Sequence, residues 1–150
     1  MSENKQLSYV GFWFRVIASI VDAIIVQVGS YFIVFPLAFT LGISMAGTSS
    51  LEEVQLVGEG LGVIIGILLQ WLYFTVLESS SWQATPGKKI FGFKVTDMNG
   101  QKIGFGKANA RYWSKIISAF ILMIGFLMVA FTKRKQGLHD IIAGTLIVKK

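Results

Sequence analysis

Cysteine is missing from this chain, histidine occurs once, at His139, and acidic residues are scarce, 8 against 14 basic ones. Without cysteine there is no disulfide framework, no thiolate metal site and no thiol nucleophile. A single histidine excludes a histidine-rich metal cluster. A phosphate loop is missing too: Gly87 and Lys88 lack the upstream glycine and the following Ser or Thr that a P-loop requires. No catalytic residues, metal or cofactor are therefore expected, and the chain reads as a non-enzyme. Basic residues are also absent from one whole stretch, Gly47 to Gly60, where the only charges are Glu52, Glu53 and Glu59.

What the chain has instead is apolar length. It is 53% hydrophobic and 15% charged, a balance that suits an all-α integral membrane protein, and residues 1–150 read as one membrane domain. A polar tail, 1–8, leads into a first span at 9–46, in which Val16 to Ala46 carries a single charge, Asp22. A membrane helix needs roughly 20 apolar residues, and a signal-peptide core has only about 7 to 15, so this segment reads as an uncleaved span that Pro36 kinks or ends. Ser50 and Glu53 form a capping box that opens a second span at 51–77. In that span Gly58, Gly62 and Gly66 make a row of small residues permitting close helix contact. The loop between the spans has no Lys or Arg, whereas 79–109 and the tail 133–150 are basic. By the positive-inside rule the N-terminus is cytoplasmic and the loop faces outward. Tyr9, Trp13 and Trp82 fit the interface, where amphipathic rings settle.

Within 79–109, Thr85, Pro86 and Gly87 signal a turn. The alternating run Ile90 to Asp97, followed by Asn99-Gly100 and Gln101 to Phe105, reads as a short cytoplasmic β-hairpin. Lys88 and Lys89, with Lys133, Arg134 and Lys135 in the tail, are expected on anionic lipid headgroups; the adjoining spans make lipid rather than nucleic acid the partner anion. The third apolar segment, 114–132, either crosses once or enters and returns with a break near Gly125. A crossing would put the basic tail outside, so re-entry is favoured, provided protein covers the irregular backbone.

A charge within a span costs about 2.5 to 3.5 kcal/mol and generally faces protein or water, so Asp22 needs a partner. Arg15 lies two turns away on the same face, along with Ser19, but side chains on a helix lean toward its N-terminus. Arg15 therefore reaches away from Asp22, which needs another group, water or an ion. Gln70 and Tyr73 of the second span are candidates to face it, the alternative for Gln70 being a packing role. Asp140 reads either as an N-cap or first-turn carboxylate or as an ion-pair partner of Arg15 at the inner surface. His139, beside it, is a proton relay on one reading and a surface histidine next to a carboxylate on the other, which is preferred.

Taken together, Arg15 and Asp22 in the first span, TPGKKIFGFKV after the second and GLHDIIAGT near the end resemble the RDD family, named for one arginine and two aspartates. The resemblance runs from about Gly11 to Val148, and the family's three signature residues correspond to Arg15, Asp22 and Asp140. It implies a small multi-pass protein of the bacterial inner membrane. For activity it implies transport of a monovalent cation or proton, sodium/proton exchange being reported for some members. A transport path in so small a chain requires a homo-oligomer or a larger complex. The alternative is a non-catalytic accessory or scaffold subunit in which the three charges serve structure.

Overall fold

The computed structural model describes residues 8–121 and 124–149, so all but Ser8 of the expected polar tail lies outside the described residues. The fold is mostly helical, in the order α1 (Phe12–Met45), α2 (Leu51–Ser79), α3 (Pro86–Ile90), β1 (Phe93–Asp97), α4 (Phe105–Phe120), α5 (Ile124–Phe131), α6 (Leu138–Ala143) and β2 (Thr145–Lys149). Among the described residues, α1 and α2 alone are long and apolar enough to cross a membrane as single helices. With 34 and 29 residues, they extend about 51 and 44 Å at 1.5 Å per residue, more than the roughly 30 Å of a hydrocarbon core. Pro36 lies inside α1 and does not end it; an apolar helix of this length tolerates one missing N–H.

The chain forms two compact units, Met1–Asp22 with Tyr73–Lys150, and Ala23–Leu72. The second unit consists of the remaining lengths of α1 and α2 and the turn between them. Gly47 takes a left-handed conformation there (φ 87°), and the capping box forms as expected: Ser50 N–H donates to Glu53 Oε2 at 2.9 Å and Glu53 N–H to Ser50 Oγ at 3.2 Å. Of the glycine row only Gly62 has a neighbour, Val34, close to where a Cβ would stand. Close helix contact at Gly58 and Gly66 is therefore not used among the described residues. Large apolar side chains such as Phe32, Phe35, Phe39 and Ile64 are exposed, which is the surface a helix presents to lipid.

The first unit contains the sheet and all of α3 to α6. β1 pairs antiparallel with β2, from Phe93 opposite Lys149 to Asp97 opposite Thr145. A two-stranded antiparallel sheet was expected, but its second strand was placed at Gln101 to Phe105. The Asn99-Gly100 turn does reverse the chain, and Asp97 N–H reaches Gln101 O, yet only the bridge Thr96 to Lys102 follows. Ile103 is drawn into the core, and at Phe105 the chain has already entered α4. The β-branched tail Thr145 to Val148 has fully buried side chains to offer β1 instead. Its other edge is also occupied, because Tyr9 bridges Val148, Val10 N–H donates to Ile147 O and Lys149 N–H to Ser8 O. Both edges of β2 are thus paired.

α4 and α5 meet at 102°. The break falls between Phe120 and Ile124, just before Gly125, near which it was expected. Gly125 itself lets the two helices touch: a Cβ there would stand 2.8 Å from Ser118 Cβ. α6 packs against both α4 and α5 and runs into β2.

Candidate functional site

Asp22 lies on the last turn of α1 that belongs to the first unit, and it is completely buried. Its carboxylate accepts three hydrogen bonds: from Tyr73 Oη to Oδ1 at 2.8 Å, from Thr85 Oγ1 to Oδ2 at 2.5 Å and from Gly87 N–H to Oδ1 at 2.8 Å. Thr85 occupies the N-cap position of α3 but makes no side-chain cap, because its hydroxyl is given to Asp22. Pro86 then fixes the first helical φ at no hydrogen-bonding cost. Gly87 follows because a Cβ there would strike Ala18 O and the Asp22 carboxyl. The Thr-Pro-Gly turn is therefore shaped around Asp22, and no cation pairs with that carboxylate among the described residues.

Asp140 is buried to the same degree and has a different set of partners. Arg15 Nη1 lies 2.5 Å from its Oδ2 and Arg111 Nη2 lies 3.0 Å from its Oδ1. In the first turn of α6 it also accepts the Gly137 N–H at 3.2 Å, the carboxylate half of a capping box that glycine has no side chain to complete. Both readings of Asp140, first-turn carboxylate and partner of Arg15, describe the same side chain. Arg15 is fully engaged: Nε donates to Val10 O at 3.0 Å, and Nη2 donates to Lys135 O. Lys135 holds that carbonyl in place from a left-handed backbone (φ 51°), a conformation that costs a non-glycine residue about 1 kcal/mol.

A second carboxylate completes the cluster. Glu78, in the last turn of α2 and 1% exposed, takes an ion pair from Lys88 Nζ and lies 3.6 Å from Arg111 Nε. Arg111, from α4, thus stands between Glu78 and Asp140. Burial alone would raise the Asp140 carboxyl, but Arg111 and Arg15 outweigh it and hold it below the usual carboxylate range. His139 is pushed down to about 3 by burial, with Arg111, Lys115 and Arg15 adding to the effect against Asp140. Its Nε2 lies 3.4 Å from Asp140 Oδ1 and its ring 5.2 Å from that of Phe126. The expected surface histidine is therefore a buried neutral one, because α6 turns this face into α4 and α5.

The remaining expected residues divide. Tyr73 reaches Asp22, whereas Gln70, one turn earlier on α2, is exposed, and so is Ser19 on α1. Ser19 stands three residues before Asp22 on α1, but the buried stripe runs through Arg15, Ala18 and Asp22 and leaves Ser19 exposed at its edge. Lys88 was expected on headgroups and is buried against Glu78. Lys89 is exposed with Nζ 3.5 Å from the centre of the Trp82 ring, Lys133 and Arg134 are exposed, and Lys135 donates to Ala130 O at 3.2 Å. Glu78 and Arg111 are functional candidates that the sequence reading did not single out. Their signals were an isolated acid at the end of a span and, on α4, Lys107, Arg111 and Lys115 at one-turn spacing. No group of three or more His, Cys, Asp or Glu side chains suited to a metal occurs among the described residues.

Comparison with known proteins shows the family. The RDD family model matches residues 9–144, which contain every side chain of the cluster. The uncharacterized protein YxaI of Bacillus subtilis is 40% identical over 147 residues, covering 93% of this chain and 97% of its own length. The uncharacterized membrane protein YteJ of the same organism is 29% identical over 147 residues, with 94% of this chain and 81% of YteJ covered. The proline-rich antigen homolog of Mycobacterium tuberculosis is 34% identical over 96 residues, 57% of this chain and 40% of that protein. No solved structure matches. With arginine and both aspartates in place and the model matching nearly end to end, this chain is a membrane protein belonging to the RDD family.

Proposed function

We propose that this chain is a non-catalytic accessory or scaffold protein of the bacterial cytoplasmic membrane, in which Arg15, Asp22 and Asp140 build a folded base rather than a path for ions. The observation that carries this reading is that both signature carboxylates are spent on donors from the chain itself. Asp140 sits between two guanidinium groups and Asp22 accepts three hydrogen bonds. A carrier carboxylate has to exchange partners during a cycle. Freeing a buried ion pair of this kind costs about 3 to 5 kcal/mol.

The base and the N-terminus are cytoplasmic in this reading, which rests on the basic residues of 79–109 and 133–150 and their absence from Gly47 to Gly60. The segment α4 to α5 re-enters. Its support is that β1 precedes the segment, β2 follows it, and the two strands pair. α5, at 8 residues, is about 12 Å long and too short to cross. The exposed apolar faces of α1 and α2 then meet lipid, further copies of the chain or a larger membrane complex. If the charges are structural, Asp22→Asn should lower the yield of folded, monodisperse protein in detergent several-fold. An Asp22→Asn protein as abundant and as heat-stable as the parent would count against this reading.

A second reading keeps one specific observation in its favour. Asp22 is a buried carboxylate whose partners are all neutral, so a monovalent cation or a proton is a chemically suitable counter-charge. Sodium or proton exchange at Asp22 is the form that reading takes.

A further inference from the structure

We infer that the first unit contains a binding site for a phosphoryl anion, formed by Lys115 and Arg111 on α4 and placed beside Phe74 of α2. Four cationic side chains, Arg15, Lys88, Arg111 and Lys115, share only two carboxylates, Glu78 and Asp140. Asp22 is committed to its own three donors, and His139 is neutral. Four cations against Glu78, Asp140 and the buried Asp22 still leave a formal excess of one positive charge in a setting where an unpaired charge is expensive.

The excess has an address. Arg111 is 1% exposed, yet its Nη1 has no hydrogen-bond partner and its Nε has only the 3.6 Å ion pair with Glu78, whereas a buried guanidinium normally satisfies its donors. Lys115, one turn along α4 and therefore on the same face, forms no ion pair among the described residues. Its Nζ rests 4.2 Å from the centre of the Phe74 ring, with Glu78, Lys88 and Arg111 as the charges nearest in effect. The unused Arg111 Nη1 and an ammonium one turn away suit a tetrahedral oxyanion, which accepts from a guanidinium and a point charge together. Lys115 is half-buried, and the exposed apolar side chains Trp113, Ile117 and Phe120 of α4 lie on the far side of the helix from it. The same chemistry is offered by an anionic phospholipid and by free phosphate.

The test uses the full chain purified in detergent, with its melting midpoint followed against added phosphatidylglycerol, phosphatidylcholine or inorganic phosphate. Phosphatidylglycerol should raise the midpoint saturably and phosphatidylcholine should not. Lys115→Gln should weaken the apparent affinity about tenfold, the loss of one charge-assisted hydrogen bond. Lys115→Arg, which keeps the charge, should bind as the parent does, and so should the double variant Lys133→Gln, Arg134→Gln at exposed positions. If inorganic phosphate alone gives the same saturable rise and Lys115→Gln weakens it equally, the site stands and its ligand is free phosphate. The inference is overturned by equal midpoints in all three additives, by a full response in Lys115→Gln, or by a loss shared by Lys115→Arg. It is also overturned if the exposed double variant loses the response as fully as Lys115→Gln does.

Discussion

His139 couples the stability of the base to pH at the scale of a single side chain. Its folded pKa is about 3 against an ordinary 6.5, so the unfolded chain takes up its proton first. Stability is then complete above the unfolded value and falls as pH drops toward the folded one. Asp140 shifts in the opposite direction with respect to charge: a depressed carboxyl stabilises above its ordinary range and loses that only at lower pH. Between pH 7 and pH 5 the histidine acts alone of the two, at a cost of about 2 kcal/mol. Thermal melts of the parent across that interval should show the loss, and His139→Gln should flatten it; an identical slope in both proteins would mean that the imidazole is not buried neutral. Gly87 sets the other residue-scale expectation. A methyl group there meets the Ala18 carbonyl and the Asp22 carboxyl, so Gly87→Ala should destabilise by about 1 to 3 kcal/mol, measurable as a lowered melting midpoint. Gly106→Ala, where nothing lies near the added methyl, should not.

Among elements, the central contact is that of α1 with α6 through Arg15 and Asp140, with α4 as third party. Removing Asp140 takes a carboxylate from both Arg15 and Arg111, leaving Arg15 with backbone carbonyls alone, whereas removing Arg15 leaves Asp140 with Arg111. Asp140→Ala should therefore cost more than Arg15→Ala, and the double variant less than their sum. A melting cycle should give a coupling above about 1 kcal/mol, and strictly additive losses would mean that the pair contributes nothing in solution. How much of this was legible from sequence follows from the range of each interaction. The long helices and the capping box are local, set by apolar length and a four-residue pattern, and could be read directly. The pairing of β1 with β2 and the position of Arg111 between Glu78 and Asp140 depend on contacts between segments far apart in the chain, for which periodicity supplies no signal. Ser19 is exposed for a related reason: a helix wheel gives the face a residue is on, but which edge of that face the covering protein takes is decided by other elements. Asp22 was recognised as needing a partner, and Tyr73 was named; Thr85 and Gly87 had been seen only as a turn.

At the scale of the whole molecule, the account divides into topology and activity. A cysteine at Ser49 in this cysteine-free chain should react with an impermeant thiol reagent outside intact cells, while one at Arg134 should react only after lysis. Labelling of Arg134→Cys from outside would make α4 and α5 a true crossing and would reverse the assignment of the basic tail. The claim on which everything else depends is that the arginine and two aspartates hold structure and carry no ion. The most direct measurement is sodium-dependent proton flux into proteoliposomes containing the purified chain, compared with empty liposomes and with Asp22→Asn at matched protein content. The account predicts that parent, variant and empty vesicles show the same background flux, the variant being distinguished only by its poorer folding. A sodium-dependent flux in the parent that disappears in an equally abundant, equally folded Asp22→Asn protein would contradict it and establish Asp22 as the site of exchange.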